Sequence, residues 1–216
     1  MKNKKEIELP YKIPVFPLSN FIIFPESTVP LNIFEPRYLE MVDDCMKGKR
    51  MIGMVQPKKK INNLSPALYE VGCLGKVTSF NETSDGRYLI VLKGLCRFRI
   101  LDEVKNNKKY RECNVSFSEF KNDLDTKENE IKFSDLELIF KDIKALFQKR
   151  GYLVNWEELQ KQKLDQTINT LSMASPFSLE EKQALLETQD LNLRKKKLQE
   201  ILKTYLVDSF SNTTIQ

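Results

Sequence analysis

The chain has 216 residues, of which 41% are hydrophobic and 30% charged, with 7 Gly and 9 Pro; this fits a globular protein of one or two small domains and excludes collagen-like or broadly disordered classes. Its opening, MKNKKEIELP, has no apolar signal core, and apolar runs such as Phe21–Phe24 fall far short of the ~20 residues that span a bilayer, so neither leader nor membrane anchor is expected, and the expected location is cytoplasmic. The net charge of +5 is uneven: residues 1–120 carry 20 basic and 14 acidic side chains and residues 121–216 carry 15 and 16, which assigns any anion-attracting surface to the first part.

After a flexible start over residues 1–12, the pattern from Ile13 to Phe120 is strand-like. Pro14 and Pro17 restrict Ile13–Leu18 to an edge strand or extended segment, because proline donates nothing to a sheet ladder. Val29–Phe34 and Met51–Gln56 read as short strands. Between them Pro36 suits a first helical turn, Leu39, Val42 and Met46 form an apolar stripe, and Gly48 offers a left-handed stop. Val71–Leu101 reads as a hairpin turning at Ser84-Asp85-Gly86, since Asp-Gly suits a turn with positive φ. Tyr88–Leu92 is apolar on both faces and should be covered on both. Farther along, Cys96, Phe98 and Ile100 alternate with Arg97 and Arg99, which predicts one buried and one solvated face, with Gly94 as a bulge or bend. Cys113, Val115 and Phe117 mark a last strand.

Residues 121–133 are polar and read as a linker, after which the periodicity becomes helical. Ser134 with Glu137 forms a capping-box pattern ahead of the stripe Leu136, Ile139, Phe140, Ile143, Leu146 and Phe147, which runs up to Gly151. Asn155 with Glu158 and Ser178 with Glu181 repeat the start signal. A last helix from about Asp190 should bury Leu191, Leu198, Ile201, Leu202 and Tyr205 and keep Arg194–Lys197 in solvent. The expectation is an α+β chain, with a four-helix subdomain over 134–208 and a flexible tail over 209–216.

With no histidine, the chain lacks the imidazole of Ser-His-Asp triads, Cys-His pairs and His-based zinc sites. No G-x-x-x-x-G-K-[ST] loop exists to cradle a nucleotide. The adjacent carboxylates Asp43-Asp44 and Glu157-Glu158 point in different directions on a helix. No enzyme activity, cofactor or metal is expected. Cys45, Cys73, Cys96 and Cys113 form no C-x-x-C pair and read as buried, reduced thiols.

Two blocks carry a family resemblance. IPVFPLSNFIIFPESTVPLNIFEPRYLEMV, from Ile13 to Val42, resembles the opening of the amino-terminal, substrate-binding domain of Lon-type proteases through Pro17, Leu18, Pro25, Pro30-Leu31 and Glu35-Pro36-Arg37-Tyr38. VGCLGKVTSFNETSDGRYLIVLKGLCRFRI, from Val71 to Ile100, is similar through Val71, Gly72, Asp85, Gly86, Val91, Gly94, Arg97 and Ile100. The resemblance implies a six-stranded PUA-like pseudo-barrel with one short helix over 13–120, followed by a helical bundle. It also implies a free-standing, non-catalytic module that binds unfolded or degron-bearing polypeptides, or docks on a protease or another partner. Pro17, Pro25, Gly72, Asp85, Gly86, Gly94 and Arg97 read as fold-determining residues of this motif. Leu18, Phe21, Ile22 and Phe24 are the candidate polypeptide-binding residues, because the flanking prolines limit their burial in a regular sheet and extended chains dock on such surfaces. Met41, Met46, Met51 and Met54 would add adaptable surface where exposed. RNA is the alternative partner, through Arg97, Arg99, Lys105, Lys108, Lys109 and Arg111, with Phe98 and Tyr110 as the nearby aromatics.

Overall fold

The β-rich part comprises β1 (Lys12–Pro17), β2 (Thr28–Ile33), α1 (Pro36–Met46), β3 (Met51–Val55), β4 (Val71–Glu82), β5 (Tyr88–Val104) and β6 (Arg111–Ser116). The computed structural model describes residues 8–59, 66–124 and 134–211, and of 134, 135, 160 and 207–211 the backbone alone. The strands form one sheet in the order β2-β5-β4-β3-β1-β6, and the second half of β5 also pairs with β6. That pairing closes β5, β4, β3, β1 and β6 into a barrel and leaves β2 as a side strand, bonded to the first half of β5 alone. The fold is the α+β barrel and helical assembly expected from the sequence.

Several local readings need correction. β1 is an interior strand, parallel to β3 and antiparallel to β6. Its prolines fit because the β3 register begins at Val15, one residue after Pro14, while Pro17 is the last residue of the strand. On α1 the core-facing residues are Tyr38, Met41, Val42 and Cys45, one step round from the expected stripe, with Leu39 and Met46 half-buried. The turn after α1 places its positive φ at Arg50 (φ 59), and Gly48 keeps negative φ. Met41, Met51 and Met54 are core residues.

The hairpin turn follows expectation. Gly86 has φ 77, its N–H donates to the Thr83 carbonyl at 2.9 Å, and the Thr83 hydroxyl donates to Asp85 at 2.5 Å. Gly94 sits at a bulge where the register moves from Leu74↔Cys96 to Gly75↔Gly94 and skips Leu95. There the loop before β2 crosses the strand: the Gly94 N–H donates to the Ser27 carbonyl at 2.8 Å and the Glu26 N–H to the Gly94 carbonyl at 3.0 Å. Gly72 has a similar cause, since a Cβ there would stand 2.6 Å from the Phe98 ring.

Past two 3-10 turns spanning Ser118–Leu124, the helical part holds α2 (Ser134–Arg150), α3 (Trp156–Gln160), α4 (Leu164–Ala174), α5 (Leu179–Glu187) and α6 (Leu191–Ser211). The start at Asn155 yields one short helix, whose N-cap accepts from the Glu158 amide at 3.1 Å, and α4 follows separately, giving five helices where four were expected. α2 ends at Gly151, φ 71, and the Ser178–Glu181 capping box forms. The side chain of Ser134, proposed to cap α2, lies outside the described residues, as do residues 125–133 of the expected linker.

The barrel and the helices share one apolar cluster, in which Ile22, Phe24, Val71, Cys96 and Phe120 pack with Leu136, Ile143, Leu171, Phe177, Leu186 and Leu202. Across the same boundary run polar ties from α5: Gln183 donates to the Val71 carbonyl at 3.0 Å, Gln56 donates to the Leu179 carbonyl at 3.0 Å, and Lys182 donates to the Asn20 carbonyl at 3.2 Å.

Candidate functional site

The strand pairings decide which apolar residues reach the surface. In β2 and β5, Val29, Ile33, Ile90 and Leu92 face the core beneath α1. The opposite face carries two rows that cross three strands: Pro30, Val91 and Ser79 in one, Asn32, Leu89 and Asn81 in the other. This outer face forms a shallow concavity of about 400 Å³ lined by those six residues with Leu31 and Ile90, and Leu89 is 42% exposed within it. The expectation that Tyr88–Leu92 is covered on both sides therefore fails, because the helices pack on other faces of the barrel. A bulge in β4 between Val77 and Ser79 shapes one side of the concavity, and the Thr78 hydroxyl donates to the Val91 carbonyl at 3.2 Å.

Beside this face, the far edge of β2 has no strand partner among the described residues. Gly94 donates to Ser27, so by alternation Val29, Leu31 and Ile33 bond to β5, and Thr28, Pro30 and Asn32 turn their backbone groups outward. No charged side chain lies on β2. Its ends are flanked by the ion pairs Lys93–Glu26 at 2.7 Å and Arg87–Asp85 at 2.7 Å.

The residues expected to bind polypeptide are divided by the structure. Leu18 and Phe21 are half-buried against the same apolar cluster as Leu31. Ile22 and Phe24 are buried, 2% and 0% exposed, and pack toward the helices. Pro17 and Pro25 did not keep them in solvent, because the loop folds under the helical subdomain. The Arg194 guanidinium stands 4.0 Å above the Phe24 ring.

Arg97 and Arg194, both read as solvated, are interior cations. Arg97 donates through Nε at 2.9 Å and Nη2 at 2.8 Å to the Asp123 carboxylate, and through its remaining N–H groups to the carbonyls of Leu186, Thr188 and Gln189 at the end of α5. A cation at a helix C-terminus is favoured by the helix dipole and supplies donors that the last carbonyls need. Arg97 thus joins the strand, the 3-10 segment and α5, which is a structural role. Arg194 donates to Asn169 at 2.7 Å and to the Leu185 carbonyl at 3.3 Å. Burial, then the neighbouring charge of Arg97, lowers its pKa to about 9, which still leaves it charged at neutral pH.

The basic residues considered for RNA are mostly engaged with acids. Arg99 pairs with Glu119 and Glu70, Arg111 with Glu103, Lys109 with Glu40, and Lys108 with Glu112. Phe98 and Tyr110 are buried and cannot stack on bases. The second concavity, about 200 Å³ near Lys12, Asp44 and Arg50, holds a satisfied cluster. Tyr110 donates to Asp44 at 2.8 Å and accepts from Lys108 at 2.8 Å, while burial raises its hydroxyl to about 12. All four cysteines are free and buried, and burial lifts the Cys45 and Cys96 thiols to about 12 and Cys113 to about 11. Among the described residues no group of acids and cysteines is arranged to hold a metal ion, and no helix is long and apolar enough to cross a membrane.

Comparison with known proteins agrees with this architecture. The family model for the ATP-dependent protease La (LON) substrate-binding domain matches residues 12–204. A Lon protease of Desulfosudis oleivorans is 25% identical over 198 residues, covering 88% of this chain and 24% of its own length. One from Dictyoglomus thermophilum is 24% identical over 206 residues, with the same coverage. The chain thus spans about a quarter of the length of these relatives. Among solved structures, a Lon N-terminal domain protein from Xanthomonas campestris superposes with a TM-score of 0.61 at 22% identity, covering 88% of this chain and 97% of that one. The N-terminal domain of a Mycobacterium avium complex Lon protease gives 0.58 at 18%, covering 89% and 98%. With a family match over nearly its whole length and the same fold, the chain belongs to the Lon substrate-binding domain family.

Proposed function

We propose that this protein is a non-catalytic polypeptide-binding module that holds unfolded or degron-bearing chains, and that the outer face of β2, β5 and β4 is its binding surface. The observation that carries this reading is the pair of rows Pro30-Val91 and Asn32-Leu89, apolar carbon left open on a sheet face in a concavity of about 400 Å³. Such a face accepts apolar side chains of varied shape without demanding one sequence. Leu18 and Phe21, which pack in the same cluster as Leu31, are proposed as a secondary contact. Affinity is modest, in about the micromolar range, because ordering a flexible client offsets much of the gain from contact. Docking on a protease or another partner would use the same face. Four buried, unpaired thiols accord with a reducing compartment such as the cytoplasm.

The test is fluorescence anisotropy of labelled, permanently unfolded carboxymethylated α-lactalbumin titrated with the wild type, with Leu89→Ser/Val91→Ser and with Leu18→Ser/Phe21→Ser. The first variant should lose most binding with an unchanged melting temperature, and the second should lose less. Equal binding by the first variant and the wild type would remove the proposed face.

A further inference from the structure

The outer face accounts for side-chain contacts and leaves the adjoining backbone edge without a use. That edge offers two donors, the N–H groups of Thr28 and Asn32, and three acceptors, the carbonyls of Thr28, Pro30 and Asn32; no hydrogen bond within the described residues occupies them. Exposed edge strands in soluble proteins are commonly blunted by charge, by bulges or by a covering element. Among the described residues none of these lies along the six residues of β2, Thr28–Ile33, and the blunting seen there is the missing N–H of Pro30.

We propose that the bound polypeptide adds to the sheet as a further β-strand along the open edge of β2, with its backbone paired to Thr28, Pro30 and Asn32 and alternate side chains laid on the outer face. This rests on the polypeptide-binding reading above and deepens it by specifying the conformation of the client. The charge pattern defines the occupant further. Between the Lys93–Glu26 and Arg87–Asp85 pairs the edge and the outer rows are uncharged, so the recognised stretch is a neutral, proline-free, β-prone segment. At about 3.3 Å per residue it is about six residues long. Strand addition explains how one site can take many sequences, since the ladder reads the backbone common to all of them. A second copy of this chain is the weaker occupant. Antiparallel pairing of β2 with itself would set two prolines in one short ladder, each lacking the donor its partner needs.

The test uses a fluorescein-labelled peptide of alternating valine and threonine between lysine pairs, in three forms: unmodified, N-methylated at the valines, and N-methylated at the threonines. In a strand, successive N–H groups point to opposite edges, so each methylated form blocks one edge while keeping every side chain. The expected result is asymmetric. One methylated form binds at least tenfold more weakly than the unmodified peptide, and the other binds within about twofold. Asn32→Pro, which removes an edge donor and keeps the apolar side chains of Pro30, Leu89 and Val91 in the rows, should weaken the unmodified peptide about fivefold, the value of roughly one hydrogen bond. Equal binding of all three peptides would overturn strand addition while leaving side-chain docking in place. No binding of any peptide would overturn both, and a β2-paired dimer dissociated by Asn32→Pro would assign the edge to self-association instead.

Discussion

Gly94 offers a sharp stability test, because the structure gives a different reason for it than a bend would. A Cβ built on Gly94 stands 2.9 Å from the carbonyl carbon of Phe24 and nearer still to its oxygen, with Ile23 Cγ1 at 3.3 Å. The obstacle is backbone, which cannot rotate away as a side-chain tip can. Relief requires moving the Phe24–Ser27 loop, and with it the two hydrogen bonds that tie the loop to Gly94, at about 1 kcal/mol each. It also repacks the fully buried Phe24, at about 1–3 kcal/mol. Gly94→Ala should therefore cost about 3–5 kcal/mol, which with a urea m-value of about 2 kcal/mol per molar lowers the midpoint by about 1.5–2.5 M. Alanine is the discriminating substitution: strain from a β-branched side chain predicts that Ala is tolerated and Val is not, whereas collision with Phe24 predicts that both fail. Gly86→Ala is the control, because Gly86 has φ 77 with nothing within 4 Å of its Cβ position, so only left-handed strain of about 1 kcal/mol applies. An equilibrium urea titration followed by tryptophan fluorescence measures all three. A Gly94→Ala midpoint within 0.5 M of the wild type, on the order of 1 kcal/mol, would show that the Phe24 carbonyl is no obstacle at this position.

Arg97→Met should destabilise by about 3–5 kcal/mol, since it leaves the Asp123 carboxylate, only 10% exposed, without its cation. Adding Asp123→Leu should recover part of the loss and not all, because the carbonyls of Leu186, Thr188 and Gln189 still lack their donor; full recovery in denaturant titrations would dismiss the capping role. The buried thiols should make stability fall from about pH 9 toward 12, opposed in part by Arg194, whose folded pKa of about 9 lies below its ordinary value. Unfolded thiols ionise near 9.0 while folded Cys45 and Cys96 keep their protons to about 12, so the unfolded state releases protons first and gains as pH rises. A melting temperature constant from pH 8 to 11 would contradict this. For the same reason a thiol reagent at pH 8 should label none of the four cysteines in the native protein and all four in denaturant; rapid native labelling would show that a thiol is accessible.

Elements whose cause is local were legible in the sequence. The Asp85-Gly86 turn, the Ser178–Glu181 capping box, the Gly151 stop and the apolar stripe of α2 each depend on a few neighbouring residues, and each stands where its pattern places it. Misread features depended on what packs from a distance. Arg97 alternates with apolar residues as a solvated residue would, yet α5 arrives over it and turns the position into an interior cap. Arg194 looks like part of a basic helical face, yet the Phe24 loop lies against it. Ile22 and Phe24 carried the apolar signal of a binding loop, but the same signal serves a seam between barrel and helices. Conversely, Leu89 and Val91 read as core, because an apolar residue on the uncovered face of a strand is indistinguishable in sequence from one on the covered face. Which side of the sheet the helices cover is a tertiary fact, and it decides the candidate site.

We propose that client polypeptide binds on β2 and the outer face of β5. The most direct measurement is a backbone amide NMR titration of the isotopically labelled protein with carboxymethylated α-lactalbumin. The expected result is a contiguous set of shifted or broadened amides at Thr28, Asn32, Leu89 and Val91, with the amides of β6 and α2 unchanged. Perturbations confined to β6 or to the helices, or none at saturating client, would contradict it.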